Sequence, residues 1–273
     1  MLISVLVTTY NHPEWLEKVL WGLSAQADRE FEVLIADDGS GPETRALVDR
    51  LRPGLGVPLE HVWHEDQGFR KCAILNRAIV AARGELLAFL DGDCVPRRDF
   101  VAVHRALSVP GRFCSGGALR LPMATSRLIG RDDVLTGRAL DPAWLRAHGT
   151  PWSIRLARLA AGPALSALLD GVTPTRPTFN GGNASVWRTD AIRVNGFDER
   201  MEHGGLDREF GERLENDGIR GRQVRHRAVV VHLDHDRGYR REEAVRANRA
   251  IRDETAATKR IRAVVGLDQY LGG

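Results

Sequence analysis

Three short apolar runs, each cut off by a polar turn, constrain this chain more than any other feature. Residues 2–7 lead into Thr8, Thr9, Tyr10 and Asn11; residues 31–36 into Asp37, Asp38, Gly39 and Ser40; residues 86–90 into Asp91, Gly92 and Asp93. Nearly continuous apolar runs of this length mark strands covered on both faces. Helical patterns fill the intervals. Pro13 suits the first position of a helix, with Asn11 or His12 as its cap, and Trp15, Leu16, Val19, Leu20 and Leu23 then share one face. Further helices are expected near residues 43–51 and 71–83, with a strand near 59–63. Alternating strand and helix predicts an α/β fold, a mainly parallel sheet with helices on both faces. Such sheets bind ligands beyond the carboxyl ends of their strands, and all three polar turns occupy that edge.

The second half is less regular. A strand is expected over residues 112–121, then an amphipathic helix over 154–169 with Arg155 and Arg158 on its polar side, which either docks on an anionic membrane or, the favoured reading, packs on the sheet. A glycine turn, Gly181-Gly182, feeds a strand at Asn183; a helix over 206–216 stops at Gly218; a strand at 229–232 closes the sheet. Residues 241–262 read as a long basic helix, which either docks on an anionic membrane or lies solvated with one buried face. The 273 residues allow one large domain or two closely packed halves. A net charge of +3 gives no case for nucleic-acid binding, the positive charge gathering instead between Arg240 and Arg262. Cys72, Cys94 and Cys114 share no metal-ligand spacing and suit buried thiols in a reducing compartment. With no signal-peptide pattern and no window near the ~20 apolar residues of a membrane span, a cytosolic chain is expected, with peripheral membrane contact as an option.

Several side chains at the predicted edge carry chemistry. Asp91 and Asp93, one residue apart at a strand end, can both reach one hard cation such as Mg²⁺ or Mn²⁺, which completes its shell with phosphate oxygens. Asp37 and Asp38 form either a self-satisfied turn or acceptors for a uracil N–H or a ribose hydroxyl. Arg70 and Lys71 at a helix start suit a diphosphate, although a solvated loop gives the same pattern. Asp207 and Glu209 in a first helical turn are ordinary for capping; the dipole there lowers a carboxylate pKa. The catalytic alternative has Asp207 taking a proton from an acceptor hydroxyl. His232, or His235 as second choice, could supply a third metal ligand from the last strand end.

Val7-Thr8-Thr9-Tyr10-Asn11, Ala36-Asp37-Asp38-Gly39-Ser40, Gln67-Gly68-Phe69-Arg70, Asn76 with Ala78, and Leu90-Asp91-Gly92-Asp93 follow one another in an order that resembles glycosyltransferase family 2. Further on, the run from Asn180 to Arg188, then Asn195-Gly196-Phe197-Asp198-Glu199, then Gly205-Leu206-Asp207-Arg208-Glu209-Phe210 is similar to the galactosyltransferase-type segment of bacterial chondroitin-polymerase-like and other polysaccharide or lipopolysaccharide transferases. The resemblance implies a GT-A-like fold and inverting transfer from a nucleoside-diphosphate sugar, UDP above others, to a glycan or lipid-linked glycan hydroxyl. By it, Thr8, Tyr10, Asn11, Asp37, Asp38 and Arg70 contact the nucleotide, and Gly182 and Asn183 line the sugar site. Asp91 and Asp93 bind the diphosphate and a Mn²⁺ or Mg²⁺ ion, and Asp207 is the base. Residues 1–95 would form the nucleotide-sugar half, 96–238 the acceptor and catalytic half, and 239–273 a helical tail. The family usually carries Glu-Asp where this chain has Leu206-Asp207, which prompts a second reading as a silent nucleotide-sugar-binding protein. A sugar nucleotidyltransferase is disfavoured because residues 7–11 contain no glycine for a phosphate loop.

Overall fold

The computed structural model describes residues 1–235 and 241–271. The first part alternates as expected: β1 (Ile3–Thr9), α1 (Pro13–Ser24), β2 (Phe31–Asp37), α2 (Pro42–Leu55), β3 (Leu59–Trp63), α3 (Lys71–Ala81) and β4 (Leu86–Asp91). There follow β5 (Cys94–Pro96), α4 (Phe100–Leu107), β6 (Arg112–Ser115), β7 (Gly117–Arg120), α5 (Met123–Leu128), α6 (Arg131–Thr136) and α7 (Pro142–Ala147). The chain continues through α8 (Ile154–Ala160), α9 (Pro163–Val172), β8 (Asn183–Trp187), α10 (Arg188–Arg193), α11 (Leu206–Asn216), β9 (Arg220–Gln223), β10 (Val229–His232) and α12 (Glu242–Thr258). Among the described residues a seven-stranded sheet has the order β3-β2-β1-β4-β8-β6-β9, and a three-stranded sheet the order β5-β10-β7. The first four strands of the large sheet are mutually parallel, and β8 lies antiparallel between β4 and β6.

Both faces of this sheet are buried, which is why its strands read as continuous apolar runs. On β1, Ile3, Val5 and Val7 face one core layer with Trp15, Leu16 and Val19 of α1. Leu6 faces the other, with Ile74 and Leu75 of α3 and Phe210 of α11. In that second layer Phe89 of β4 meets Phe179 and Phe197 edge-on, at centroid distances of 5.4 and 5.7 Å, and Phe197 stacks on Phe210 at 4.4 Å. Aromatic pairs in this range add about 0.5–1.5 kcal/mol each beyond burial.

Four sequence expectations change. The strand expected over residues 112–121 is two strands in different sheets. The chain crosses between them at Gly116 and Gly117, whose N–H groups donate to Asn183 O (2.9 Å) and Ala228 O (2.8 Å). A Cβ on Gly116 would lie 2.3 Å from the Asn183 side chain, and one on Gly117 2.5 Å from Arg225 O, so only glycine permits the crossing. β10 belongs to the small sheet and does not close the large one. The helix expected over 154–169 breaks at Gly162-Pro163, because proline has no N–H to continue the ladder. Finally, α12 is not basic: its three arginines, Arg246, Arg249 and Arg252, are outnumbered by four acids, Glu242, Glu243, Asp253 and Glu254. It packs on α11, with Thr255 Oγ1 donating to Glu209 Oε1 (3.0 Å) and Arg252 paired with Glu212. The expected boundary between residues 238 and 239 lies outside the described residues.

Candidate active site

The register of β1 builds the edge. Parallel pairing sets Thr8 beside Asp91 of β4 and Thr9 beside Asp37 of β2. Thr8 Oγ1 donates to Asp91 Oδ1 (2.9 Å), and the Lys71 ammonium, at the first turn of α3, lies 2.7 Å from the same oxygen. Gly92 N–H donates to Thr8 O (2.7 Å); a Cβ there would stand 2.6 Å from that oxygen, so the turn between the two acids requires glycine. Beyond it, the chain joins the small sheet, where Leu233 N–H donates to Asp93 O (2.8 Å) and Cys94 pairs with His232. That pairing brings histidine to Asp93: His235 Nε2 lies 3.1 Å and His232 Nε2 3.7 Å from Asp93 Oδ2, with the two rings stacked at 5.5 Å.

The two acids of the Asp-Gly-Asp turn therefore take different partners. Ligand atoms of Asp93, Cys94 and His232 lie within 4.8 Å of one another, whereas Asp91 is held by Lys71 and Thr8. Asp91 and Asp93, expected to grip one cation as a pair, thus have separate side-chain partners, and Asp91 Oδ1 is the oxygen engaged. Burial works against charge on Asp93, but the His235 hydrogen bond and the nearby His232 hold its pKa below the usual range. Burial, reinforced by Asp93 and Asp91, pushes the Cys94 thiol up, so it stays protonated and donates to Asp93 Oδ1 (3.4 Å). The group offers carboxylate and imidazole donors with the Cys94 sulfur beside them, a set that fits a divalent cation accepting both oxygen and nitrogen.

Asp207 approaches the edge from the start of α11, after Gly204 and Gly205, both at positive φ (106° and 86°). Its Oδ1 is buried without a hydrogen-bond partner. Gly181 packs so closely that a Cβ there would be 2.6 Å from this atom, and a Cβ on Gly182 would be 2.7 Å from Asp91 Oδ2. The double glycine thus lies against both carboxylates. Burial raises the Asp207 pKa and Asp91 adds to the rise, while Lys71 and the adjacent Gly181 N–H pull the other way. The helix start was expected to lower it; desolvation outweighs that dipole here. The Lys71 pKa is raised, burial being overcome by Asp91, Asp207 and Asp93, so it is a fixed cation among three acids.

Several expected donor contacts look inward instead. Asp37 is fully buried, its Oδ1 accepting from Ser40 N–H (2.8 Å) and its Oδ2 facing His61 Nε2 (2.8 Å). Asp38 Oδ1 faces His64 Nε2 (2.8 Å) while Oδ2 accepts from Arg70 N–H (3.0 Å). Both carboxylates thus have protein partners, as the self-satisfied turn requires, and sequence reasoning missed His61 and His64, whose spacing at the end of β3 was the available signal. Asn11, at φ 48°, accepts from Gly41 N–H through Oδ1 (3.0 Å) and ties α2 to the turn. Asn183 departs furthest from expectation. Its fully buried side chain donates to Gly117 O (2.9 Å) and Ala228 O (3.0 Å) and accepts from His104 Nε2 (3.0 Å), so it braces the two sheets and does not line the edge. Tyr10 stays at the surface, 48% exposed, donating to Asp66 Oδ2 (2.9 Å), and the Arg70 guanidinium donates to Gln67 Oε1 (2.6 Å).

Residues 4–106 match the family model of glycosyl transferase family 2, and residues 171–236 match that of the N-terminal domain of galactosyltransferase. The chain belongs to glycosyltransferase family 2. Its relatives include a validoxylamine A glucosyltransferase of Streptomyces hygroscopicus subsp. limoneus, 32% identical over 233 residues that cover 80% of this chain and 49% of that protein. A chondroitin synthase of Escherichia coli is 27% identical over 236 residues, covering 81% of this chain and 33% of the synthase. This family 2 chain thus spans about half the length, or less, of these curated relatives. Among solved structures, Staphylococcus aureus TarS 1-349 in complex with UDP-GlcNAc superposes with a TM-score of 0.62 at 16% identity, covering 98% of this chain and 69% of that one. The mannosyltransferase PcManGT from Pyrobaculum calidifontis, in complex with GDP-Man and Mn²⁺, gives 0.58 at 24% identity, covering 87% and 58%. These likenesses establish the GT-A fold. Among the described residues no helix is long and apolar enough to cross a membrane.

Proposed function

We propose that this family 2 chain is an inverting, metal-assisted transferase that moves a sugar from a nucleoside-diphosphate donor, UDP above others, to an acceptor hydroxyl of a glycan or glycolipid in polysaccharide or lipopolysaccharide assembly. The observation that carries the reading is the carboxylate of Asp207, with an unpartnered buried oxygen and a raised pKa, set across the double glycine from Asp91. A group in that state is a base awaiting a proton. In the proposed reaction the acceptor oxygen bonds to the anomeric carbon, the bond from that carbon to the diphosphate breaks, and the acceptor proton passes to Asp207. Lys71 balances negative charge between Asp91 and Asp207 and faces the leaving group. Asp93 and His232, with His235 beside them, would hold a divalent cation, and imidazole in the set favours Mn²⁺ over Mg²⁺. When bound, the cation supplies Lewis-acid charge against the departing diphosphate. Exposed Tyr10 is the available face for the nucleotide base. Relatives that carry UDP-GlcNAc or GDP-Man support a nucleotide-sugar donor of this kind.

The test is a panel of nucleotide sugars titrated calorimetrically with and without Mn²⁺, followed by a transfer assay on the donor that binds. Tight binding that needs both Mn²⁺ and Asp93, with slow donor hydrolysis, is the expected result. Donor binding indifferent to Mn²⁺ and to Asp93→Ala would remove the metal role. Mn²⁺-dependent binding with neither transfer nor hydrolysis would favour the silent binding protein that Leu206 suggests.

A further inference from the structure

Helix α9 is built inside out. It buries Ser166 and Asp170, one helical turn apart, and turns Leu165, Leu168 and Val172 to solvent at 51, 61 and 62% exposure. Positions i, i+3 and i+7 lie on one helical face, so these three form a continuous apolar stripe. Just before it, Trp152 and Ile154 at the start of α8 are 65 and 75% exposed. A segment expected to pack its apolar face on the sheet thus presents it outward. Scattered exposed leucines are ordinary; a stripe combined with buried polar residues on the same helix is not.

The sequence of this segment carries charge of almost one sign. Across residues 142–189 the single acid is Asp170, against Arg146, Arg155, Arg158, Arg176 and Arg188; of these Arg176 pairs with Glu215 and Arg188 donates to Ile79 O and Val80 O, which leaves Arg155 and Arg158 as the cations of α8. Asp170 is withdrawn from the surface: it accepts from His226 N–H (2.9 Å) and from Arg227 Nε (2.8 Å). Arg155, Arg158 and Arg225 lie close enough to repel one another, and Arg158 Nε is buried with no partner. In a chain with 39 basic and 36 acidic residues this local imbalance is a property of the segment and not of the composition.

We propose that α8 and α9 form a docking face for a bilayer carrying anionic lipids, with Trp152, Ile154, Leu165, Leu168 and Val172 entering the interface and the flanking arginines meeting the phosphates. A Trp- and Leu-bearing face bordered by cations is the chemistry that lipid surfaces select, since apolar burial and attraction to anionic headgroups add. A protein partner would need acids to meet the arginines. The chain leaves this face through residues 173–180 straight into Gly181 and Gly182 of the catalytic edge. This inference stands apart from the transfer reaction, because none of its residues belongs to the catalytic or binding machinery.

The test uses the full chain and sedimentation with vesicles of phosphatidylcholine, pure or containing about 30% phosphatidylglycerol, at low and high salt. Wild type should pellet with the anionic vesicles at low salt, less at high salt and little with neutral ones. The triple variant Ile154→Ser/Leu165→Ser/Leu168→Ser, altered only at exposed positions, should keep its melting temperature and donor binding while losing at least about tenfold in partitioning. Arg155→Glu should weaken binding in the same direction. The proposal fails if wild type stays in the supernatant, if the triple variant pellets as wild type does, or if Arg246→Glu/Arg249→Glu in α12 abolishes binding while the triple variant does not. It also fails if wild type self-associates in analytical ultracentrifugation and the triple variant is monomeric without a change in pelleting, since a second copy would then cover the face.

Discussion

At the scale of single residues, Asp207 shows burial overruling a helix dipole. A carboxylate in a first helical turn is ordinarily stabilised as the anion by a few tenths to about 1 kcal/mol. Here the loss of water around the side chain, with Asp91 near, outweighs both that effect and Lys71. The base is therefore stronger than a surface aspartate, and must be deprotonated to act. The acid limb of a kcat profile should accordingly lie above the ~3.9 of a free aspartate, with activity falling as pH drops through it. Asp207→Asn should keep donor affinity and cut turnover by about 10²–10⁴, read by transfer assay beside calorimetry; wild-type turnover would remove Asp207 from the chemistry. Gly181→Ala makes a related case without touching a titratable group. Its new Cβ would stand 2.6 Å from Asp207 Oδ1 and push that carboxylate aside, so turnover should fall by far more than the roughly 1–3 kcal/mol loss of stability explains, with the enzyme still folded in urea titration.

At the scale of elements, two buried polar devices fix how the pieces meet. His104 on α4 is fully buried, accepting from Ser185 Oγ–H through Nδ1 (2.9 Å) and donating through Nε2 to Asn183 Oδ1 (3.0 Å). Because Asn183 Nδ2 already donates to two carbonyls, its oxygen must accept, which sets the histidine tautomer. Burial lowers the His104 pKa to about 4. The folded state thus binds its proton less readily than the unfolded chain does at about 6.5, so this contribution is whole above that pH and is lost as pH falls toward 4. Urea unfolding should show a stability plateau above about pH 6.5 and a loss of up to about 3 kcal/mol below it, with the His104 ¹⁵N signals keeping the neutral Nε2–H form at pH 6. The second device is Arg213 of α11, fully buried, whose Nε reaches Glu209 (2.8 Å) and whose Nη2 donates to Gly196 O (2.7 Å). Arg213→Ala strands the Glu209 charge and should cost about 3–5 kcal/mol in urea unfolding, against little change if the pair were dispensable.

At the scale of the whole molecule, the two stretches that match different family models share one sheet. β8 and β6 complete the sheet beside β4, and Phe89 of β4 packs against Phe179, Phe197 and Phe210 from the second stretch. A fragment of residues 1–107 would leave β4 with an open edge and that aromatic face uncovered. It should therefore aggregate or unfold without a sharp transition, where the full chain unfolds in one; a cooperative melt of the fragment would show two independent units. Much of this architecture was legible in the residues. Apolar runs ended by polar turns gave β1, β2 and β4 and their common edge, because burial on both faces leaves a period-free signature that any reader of the sequence can see. The motifs gave the family, and Asp93, Asp207 and His232 were singled out as chemistry-bearing residues. What stayed hidden depended on contacts between distant segments. Whether Asp91 turns to Asp93 or to Lys71, whether Asn183 faces a sugar or a histidine, and whether α9 shows its leucines inward or outward are each decided by which neighbour arrives from 20 to 79 positions away in the sequence. Local sequence fixes a side chain's conformational preferences and its period; the partner that satisfies a buried hydrogen bond or covers an apolar stripe is supplied only by the folded chain, because desolvation acts on whatever the tertiary structure places nearby.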